Sequence, residues 1–529
     1  MQSIQRKMKR EIINKVKRAF NSLNNEELFE SIIKDIKELD IKNKNIILLS
    51  DAYKYSHQVF YPKGMTKLYS YLESRGGKFE KTIFFGLQYI LKEYLIGQVI
   101  TQEKIDEADD VLNGVFGKPV ADMSKFQYLL DNYGGKLPVK IKAVPEGSLI
   151  ETKNVLMTIE NTGDENTAWV TNWLESLLLQ VWYPITVATL SFHVKKIARE
   201  YFEKTSDLTG EALEMSLEFM LNDFGLRGVS SVESAEIGGA AHLVNFLGSD
   251  NVPASQMIRN YYNTDRIFGL SIPATEHSVM TLKGEDGEAE MMEAVLDAYP
   301  TGMVACVSDS YNIFRAVKEY WGDKLKAKIL SRPAEPGSQL VIRPDSGDPK
   351  RTLQEIFKLL FEAFGYTTNS KGFKVLPPQV RVIQGDGVNY ESIQEILEML
   401  YQEKISVENL VFGMGGKLLQ ADINRDTQNF AFKACYAVID GKVHNVVKSP
   451  TEMDKDGNIT TSFKKSKSGM LKLETVFNND TKQLEYKTIS SETDKDFDEV
   501  FDTMGVVFIN GDLLKQYSFE EIREIAKNQ

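Results

Sequence analysis

The sequence predicts an α/β protein: an irregular parallel (β/α) barrel, with a second mixed α+β domain built from the N- and C-terminal segments. Three observations lead there. From about residue 217, short apolar runs end in Gly/Asp/Ser clusters and give way to stretches with apolar residues at helical spacing. The runs are LEFMLNDFGLRG, LVNFLGSD, GLSIPATEHS, GMVACVSDS, QLVIRPDSG, VRVIQGDG and NLVFGMGG. Between them lie helical stretches such as VESAEIGGAAHLV, VPASQMIRNYY, EAEMMEAVLDAY, YNIFRAVKEYW, TLQEIFKLLFEAF and YESIQEILEMLY. Parallel neighbours need crossover helices, and about seven or eight such units in series usually close into a barrel. The units share a pattern and not residues, so they are not a sequence repeat. Finally, the regularity is confined to the middle of the chain, which divides into 1–44, 45–186, 187–421 and 422–529.

The first of these segments is expected to be a helical extension. It carries Arg6, Lys7, Lys9, Arg10, Lys15, Lys17 and Arg18, with Ile4, Met8, Ile12 and Val16 along one helical face. Residues 24–40 read as a second, acidic amphipathic helix, and the pair is expected to pack as a hairpin rather than to address a membrane. In the next segment NIILLSDAYK reads as a strand entering a polar loop, KTIFFGLQYILKEYL as a helix, and VKIKAVPEG as a strand ending in a turn. TAWVTNWLESLLLQVWYP is apolar on nearly all sides. Its Trp169, Trp173 and Trp182 are expected in a core or a subunit interface rather than in a ligand cage. Past residue 422 the polar stretch SPTEMDKDGNITTSFKKSKSGM reads as an exposed loop.

Composition narrows the function. A net charge of −12 argues against general nucleic-acid binding, which needs excess Lys and Arg facing phosphates. It leaves room for a small anionic ligand in a local basic pocket. The two cysteines, Cys306 and Cys435, have no metal-ligand spacing or nearby partner, so neither a disulfide framework nor a zinc site is expected. A reducing interior fits those two cysteines, so the chain reads as cytoplasmic, and with no run of about 18 apolar residues evident no membrane span is expected.

The predicted strand ends carry the chemistry, because active sites of parallel α/β barrels form there. They hold Asp223, Phe224, Arg227, Asp250, Glu276, His277, Asp309, Arg343, Asp345, Ser346, Asp386 and Gly413, Gly415 and Gly416. Some are expected to be helix caps, notably Ser308, Asp309 and Ser310 before YNIFRAVKEYW. Caps do not call for two arginines and a histidine beside them, so the cluster points to an anionic ligand. QGDGV and FGMGG are glycine-bearing loops between strand and helix, a setting where backbone N–H groups and a helix dipole favour phosphate. No GxxxxGK[ST] motif is present.

These residues carry a resemblance. Through SDAYKYSH, YSYLESRG, FFGLQYIL, AVPEG, WYPITVAT, DFGLRGVSS, AHLVNFLGSD, EHSV, SDSYNIF, VIRPDSGDP, LPPQVRVIQGDGV, FGMGGKLLQ and YSFEEIR, the chain resembles the nicotinamide phosphoribosyltransferase family. The motifs run in order from about residue 45 to the end. The resemblance implies that nicotinamide and 5-phosphoribosyl-1-pyrophosphate give nicotinamide mononucleotide and pyrophosphate, with Mg²⁺ required. No metal ligands are assigned. It implies that Phe224 stacks on the pyridine ring, that Asp250 accepts from the carboxamide, and that Arg343 approaches its carbonyl. Arg227 is then a phosphate contact, Asp345 a ribose contact, and Gly385, Asp386, Gly415 and Gly416 the lining of the ribose-phosphate end. Asp51 and Asp309 join the substrate-binding set, and His277 is implied to be a catalytic residue phosphorylated by ATP, a stimulating co-substrate. Tyr53, Arg75, Arg425, Lys433 and Lys464 match residues that a second subunit supplies, so a homodimer with shared sites is implied. Ala305 stands where the family is expected to have Ser, removing a hydroxyl near the base pocket, and the loop after YLESRG is short.

Three rivals are weaker. A nicotinate phosphoribosyltransferase would set the charge of Asp250 against the nicotinate carboxylate. A non-catalytic signalling protein on the same fold would not need His277, Arg343, Asp345 and Asp250 together. A Schiff-base lyase would want a Lys at an interior strand end, and none of the runs has one.

Overall fold

The computed structural model describes residues 44–335, 337–453, 459–461, 466–479, 482–491 and 501–529. The expected helices of the N-terminal extension, and Lys464, lie outside the described residues. The fold is mixed α/β and contains two large sheets. One is parallel, with strand order Leu221–Asp223, Leu410–Met414, Val380–Gln384, Leu340–Arg343, Val304–Val307. Most positions in these strands are buried, as in a sheet covered on its faces by crossover helices. Those helices include Val232–Leu243, Val252–Tyr261, Glu288–Ala298, Pro349–Phe364 and Tyr390–Gln402.

Five of the seven predicted runs are therefore strands, and two are not. LVNFLGSD and GLSIPATEHS make only isolated parallel bridges: Asp223 with Ser249, Gly248 with Leu270, and Ala274 with Ala305. Pro273 has no N–H to give a ladder, and Gly269 has a left-handed φ of 83°, so the second run cannot extend as a regular strand.

The other sheet has seven strands, in the order Lys442–Asn445, Phe430–Ile439, Met65–Ser74, Val155–Asn161, Val139–Ala143, Gly505–Ile509, Asp512–Leu513. Every described pairing in it is antiparallel, and strands from both ends of the chain share it. Trp169 and Trp173 pack edge-on against Phe126, with centroids 5.0 and 5.3 Å away, and are core residues.

Two helices tie the sheets together. Trp182–Thr205 buries every residue from Pro184 to Ser191. Its Thr189 accepts from Ile83 N at 3.0 Å, and its Ser191 meets Nδ1 of the buried His242 at 2.9 Å. The segment Glu175–Thr205 is long and apolar enough by length and composition alone to cross a membrane. Its most apolar window is 67% buried, as in the core helix of a globular fold. The C-terminal helix Phe519–Lys527 begins with a capping box between Ser518 and Glu521. Phe519 packs against Phe85, Tyr262 and Phe268, and Arg523 donates to Phe246 O at 2.7 Å.

Candidate active site

Because the five strands run parallel, their carboxyl ends fall on one edge, and most of the predicted residues gather there. Arg343 ends its strand and holds Asp345 through Nε and Nη2, at 3.1 and 2.7 Å from Oδ1. The same guanidinium lies 5.3 Å from the centroid of the Phe224 ring. Phe224 is half-buried and pinned by its N–H to Met414 O at 3.0 Å. A Cβ on Gly413 would fall 1.9 Å from Cε2 of that ring, and one on Gly385 3.3 Å. The ring thus lies across two strand ends that only glycine leaves low enough. Ala305, Val341 and Ile383 form an apolar floor with Phe224, Ile272 and Val411, so the alanine at 305 belongs to a dry surface.

Asp250 is exposed, accepts from Ser271 Oγ, and donates its own N–H to Asp223 O at 2.9 Å. Asp223 is fully buried. Its Oδ1 accepts from Gly225 N at 2.7 Å and its Oδ2 from Asn251 Nδ2 at 3.0 Å. Burial pushes its carboxyl up to about 6, with the nearby charge of Asp250 adding to the rise and the two hydrogen bonds opposing it.

His277 opens the single-turn helix His277–Met280. Its Nε2 is 2.9 Å from Asp309 Oδ1, while Asp309 Oδ2 accepts from Asp345 N at 3.0 Å. One continuous chain therefore runs His277–Asp309–Asp345–Arg343–Phe224. Asp309 is not a cap, contrary to expectation. The cap before Ile313 is Asn312, which accepts from Arg315 N at 3.0 Å. Ser308 instead bonds Cys306 O and Trp321 Nε1, at 2.9 and 3.1 Å.

Arg227 is exposed on the short turn Leu226–Gly228. That turn lies close against the FGMGG loop, since a Cβ on Gly228 would meet Gly416 Cα at 3.0 Å. The helix after this loop, Gly416–Leu419, is only one turn long, and the helix after Gly385 and Asp386 starts at Tyr390 behind a capping box on Asn389. The one-turn helix Gly416–Leu419 is too short to add the dipole expected at the FGMGG loop, whereas Tyr390–Gln402 follows the QGDG loop at full length. Close backbone approach at the glycines is what these loops offer.

The remaining predicted residues form a second group. Asp51 accepts from Ser176 Oγ at 2.5 Å and lines a cavity of about 760 Å³ with Tyr183, Ser231 and Gln420. Tyr53 is 56% exposed and meets His57 edge-on at 5.1 Å. Tyr53 and Lys433 line one depression of about 550 Å³. Lys433 is half-buried, and burial lowers the proton affinity of its ammonium. Arg75 holds Glu73 at 2.8 Å, and its N–H reaches Asn429 O at 3.3 Å, close after the turn that carries Arg425. Arg425 is exposed and paired with Asp426 at 2.8 Å.

Sequence reasoning placed Asp223 in the cluster without a role and passed over Ser271 and Asn251. Polar residues at strand ends were the available signal, and their partners are set by tertiary contact.

The chain is similar to known proteins in sequence and in fold. The nicotinate phosphoribosyltransferase (NAPRTase) family matches residues 219–481, and the nicotinamide phosphoribosyltransferase N-terminal domain matches residues 45–141. A nicotinamide phosphoribosyltransferase of Xanthomonas campestris pv. campestris (strain 8004) is 44% identical over 485 residues, covering 91% of this chain and 98% of that protein. Another, from Acinetobacter baylyi (strain ATCC 33305 / BD413 / ADP1), is 31% identical over 517 residues, covering 90% of this chain and 96% of that protein. The crystal structure of nicotinate-nucleotide pyrophosphorylase from Pyrococcus furiosus shares the fold, with TM-score 0.54, 14% identity, and coverage of 92% and 95% of the two chains. The chain belongs to the nicotinamide phosphoribosyltransferase family.

Proposed function

We propose that this protein is a nicotinamide phosphoribosyltransferase of NAD salvage, joining nicotinamide to the ribose of 5-phosphoribosyl-1-pyrophosphate. The observation that carries this is Asp250, an exposed carboxylate on the loop bonded to the residue before Phe224. A carboxylate accepts from a carboxamide NH₂ and repels a carboxylate, so the site suits the amide and rejects the acid.

In the reaction the pyridine nitrogen forms a bond to the anomeric carbon while the bond from that carbon to pyrophosphate breaks. Positive charge builds on the ribose and ends on the pyridinium. Phe224 offers a ring face to the base, and Arg343 approaches the amide carbonyl. Asp345 orients ribose hydroxyls, and the Gly385–Asp386 and Gly415–Gly416 loops with Arg227 receive the 5-phosphate. Holding these groups in place before reaction is the main catalytic contribution. A carboxylate at Asp309 only accepts, so His277 Nε2 donates to it, and in the neutral imidazole Nδ1 is the nitrogen left with a lone pair. That supports His277 as the acceptor of a phosphoryl group from ATP.

Mg²⁺ is expected to enter on the pyrophosphate, since it favours one or two carboxylates with substrate phosphates. Among the described residues no group of three metal-ligating side chains converges, and Asp309 and Asp345 are the adjoining oxygen donors at the strand ends. The bridges through Ser249, Leu270 and Ala274, from Leu221–Asp223 round to Val304–Val307, support closure of the parallel sheet into an irregular barrel. The shared antiparallel sheet supports a second domain over 45–186 and 422–529. Tyr53 and Lys433, lining a depression that contains none of the strand-end residues, support a homodimer in which each subunit completes the other's site. The free cysteines Cys306 and Cys435, both buried, suit a cytoplasmic setting.

The test is a product assay with purified protein, phosphoribosyl pyrophosphate, Mg²⁺ and either base. Nicotinamide mononucleotide should form, and ATP should stimulate it in the wild type but not in His277→Ala. No product with either base would overturn the assignment; stimulation surviving in the variant would overturn the phosphohistidine.

A further inference from the structure

We propose that Asp223 is a positioning residue for base selection, locking the Phe224 turn to the Asp250 loop and placing a second negative charge behind Asp250. The proposal rests on the nicotinamide reading above and adds to it a residue that touches no substrate.

The geometry is that of a clamp. Asp223 N–H donates to Gly248 O at 3.1 Å and Asp223 O accepts from Asp250 N at 2.9 Å, so its backbone joins the two loops in both directions. Its side chain repeats the link: Oδ1 caps the turn after Phe224 through Gly225 N, and Oδ2 holds Asn251, the residue after Asp250. Asn251 Nδ2 donates onward to Ala235 O at 2.8 Å, anchoring the clamp in the helix Val232–Leu243. The ring that receives the base and the carboxylate that reads its amide are thus spaced by one buried group.

Both side-chain partners of Asp223 are donors, which explains an acceptor but not a charge. Removing a carboxylate from water with only two hydrogen bonds is costly, and its raised proton affinity records that cost. The charged and titratable groups that face it are few. Asp250 shares its field, and Tyr183 feels it from the helix Trp182–Thr205, where its hydroxyl donates to Ser234 O and Leu419 O at 3.0 and 2.9 Å. Among the described residues no Lys or Arg bonds the Asp223 carboxylate, whose partners are Gly225 N and Asn251 Nδ2. The charge of Asp223 therefore adds to that of Asp250 on the side that reads the NH₂, while Arg343, over the Phe224 ring, faces the carbonyl oxygen that both bases carry, so nicotinate meets two negative charges where nicotinamide meets acceptors.

The consequence is selectivity that depends on pH. Above about 6 Asp223 is ionised and nicotinate is strongly disfavoured; as pH falls through that value one of the two charges is lost. The ratio of kcat/KM for nicotinamide to that for nicotinate should fall by on the order of tenfold between about pH 7.5 and 5.5. Steps common to both bases cancel in that ratio.

The experiment measures kcat and KM for each base across that pH range in wild type and Asp223→Asn. The variant should raise the nicotinamide KM about tenfold, change kcat by less than about threefold, leave the KM for phosphoribosyl pyrophosphate unchanged, and remove the pH dependence of the ratio. A purely structural role would lower kcat/KM for both bases equally and keep the pH slope. That result, or a wild-type ratio flat across the range, overturns the proposal. The wild-type profile decides even if the variant does not fold. Calorimetric titration of wild type with nicotinamide separates the two levels. Absence of both binding and product rejects the assigned function and this proposal with it, whereas product with an unresponsive ratio rejects Asp223 alone.

Discussion

The edge of the parallel sheet and the surface around the antiparallel sheet both carry candidate residues, but they hold them differently. At the parallel edge the side chains hold one another: His277 to Asp309, Asp309 to Asp345, Asp345 to Arg343, and Arg343 over Phe224. Around the antiparallel sheet Arg75, Arg425 and Tyr53 meet side chains close by in sequence, Glu73, Asp426 and His57, and Asp51 is held by Ser176, with no chain of contacts joining them to one another. The first arrangement is preorganised within one chain, while the second leaves Tyr53 and Arg425 exposed, open to something brought to them. A shared site needs both, a rigid floor and a wall that arrives with a partner.

Four perturbations bear on that contrast. Arg343→Ala removes the centre of the interlocked chain, freeing Asp345 and uncovering Phe224, and kcat/KM for nicotinamide should fall by about 10³-fold in steady-state assays. A loss below about tenfold would mean that the chain is not the rigid element. Tyr53→Ala should raise the nicotinamide KM by only about tenfold, as expected for one lost ring face. Mixing inactive Phe224→Ala subunits with Tyr53→Ala subunits should restore low-KM turnover, because a mixed dimer holds one intact site. Failure to restore it under exchange conditions would break the division of labour between the two regions. The smallest effect lies at Glu146, buried beside the second region, which accepts from Gly86 N and Gln88 N at 3.1 and 2.6 Å. Burial pushes its carboxyl up to about 7 from 4.5. The folded state then holds this proton more tightly than the unfolded one, so the associated stability is full below about pH 4.5 and falls as pH rises towards 7. Glu146→Gln should therefore shift Tm upward relative to wild type by about 2–4 °C more at pH 8 than at pH 5 in thermal scans.

Much of the parallel edge was legible because its residues sit at the ends of contiguous apolar runs. Arg343 and Asp345 in VIRPDSG and His277 in ATEHS need only the rule that such ends share a face. The two runs that failed as strands show where pattern gives out: Pro273 is plain in the sequence, yet apolar alternation outweighed its missing donor. The caps failed for a different reason. Ser308, Asp309 and Ser310 all suit an N-terminus, but Asn312 lies nearer the first helical residue, Ser308 is drawn to Trp321, and Asp309 to His277 and Asp345. Gly413 under Phe224, and Asn251 on Asp223, join residues 189 and 28 positions apart, distances over which local pattern is silent.

Synthesis of the chain sets an order on these contacts. Met65–Ser74 pairs with Phe430–Ile439, and Val139–Ala143 with Gly505–Ile509, so the antiparallel sheet cannot close until nearly the whole polypeptide has left the ribosome. The crossover units of the parallel sheet are complete well before then. At about 5–20 residues per second, the early strands wait many seconds with open edges. Such sequence-distant pairing slows folding and exposes those edges to other chains, so chaperone supply and growth temperature should govern the yield of active protein.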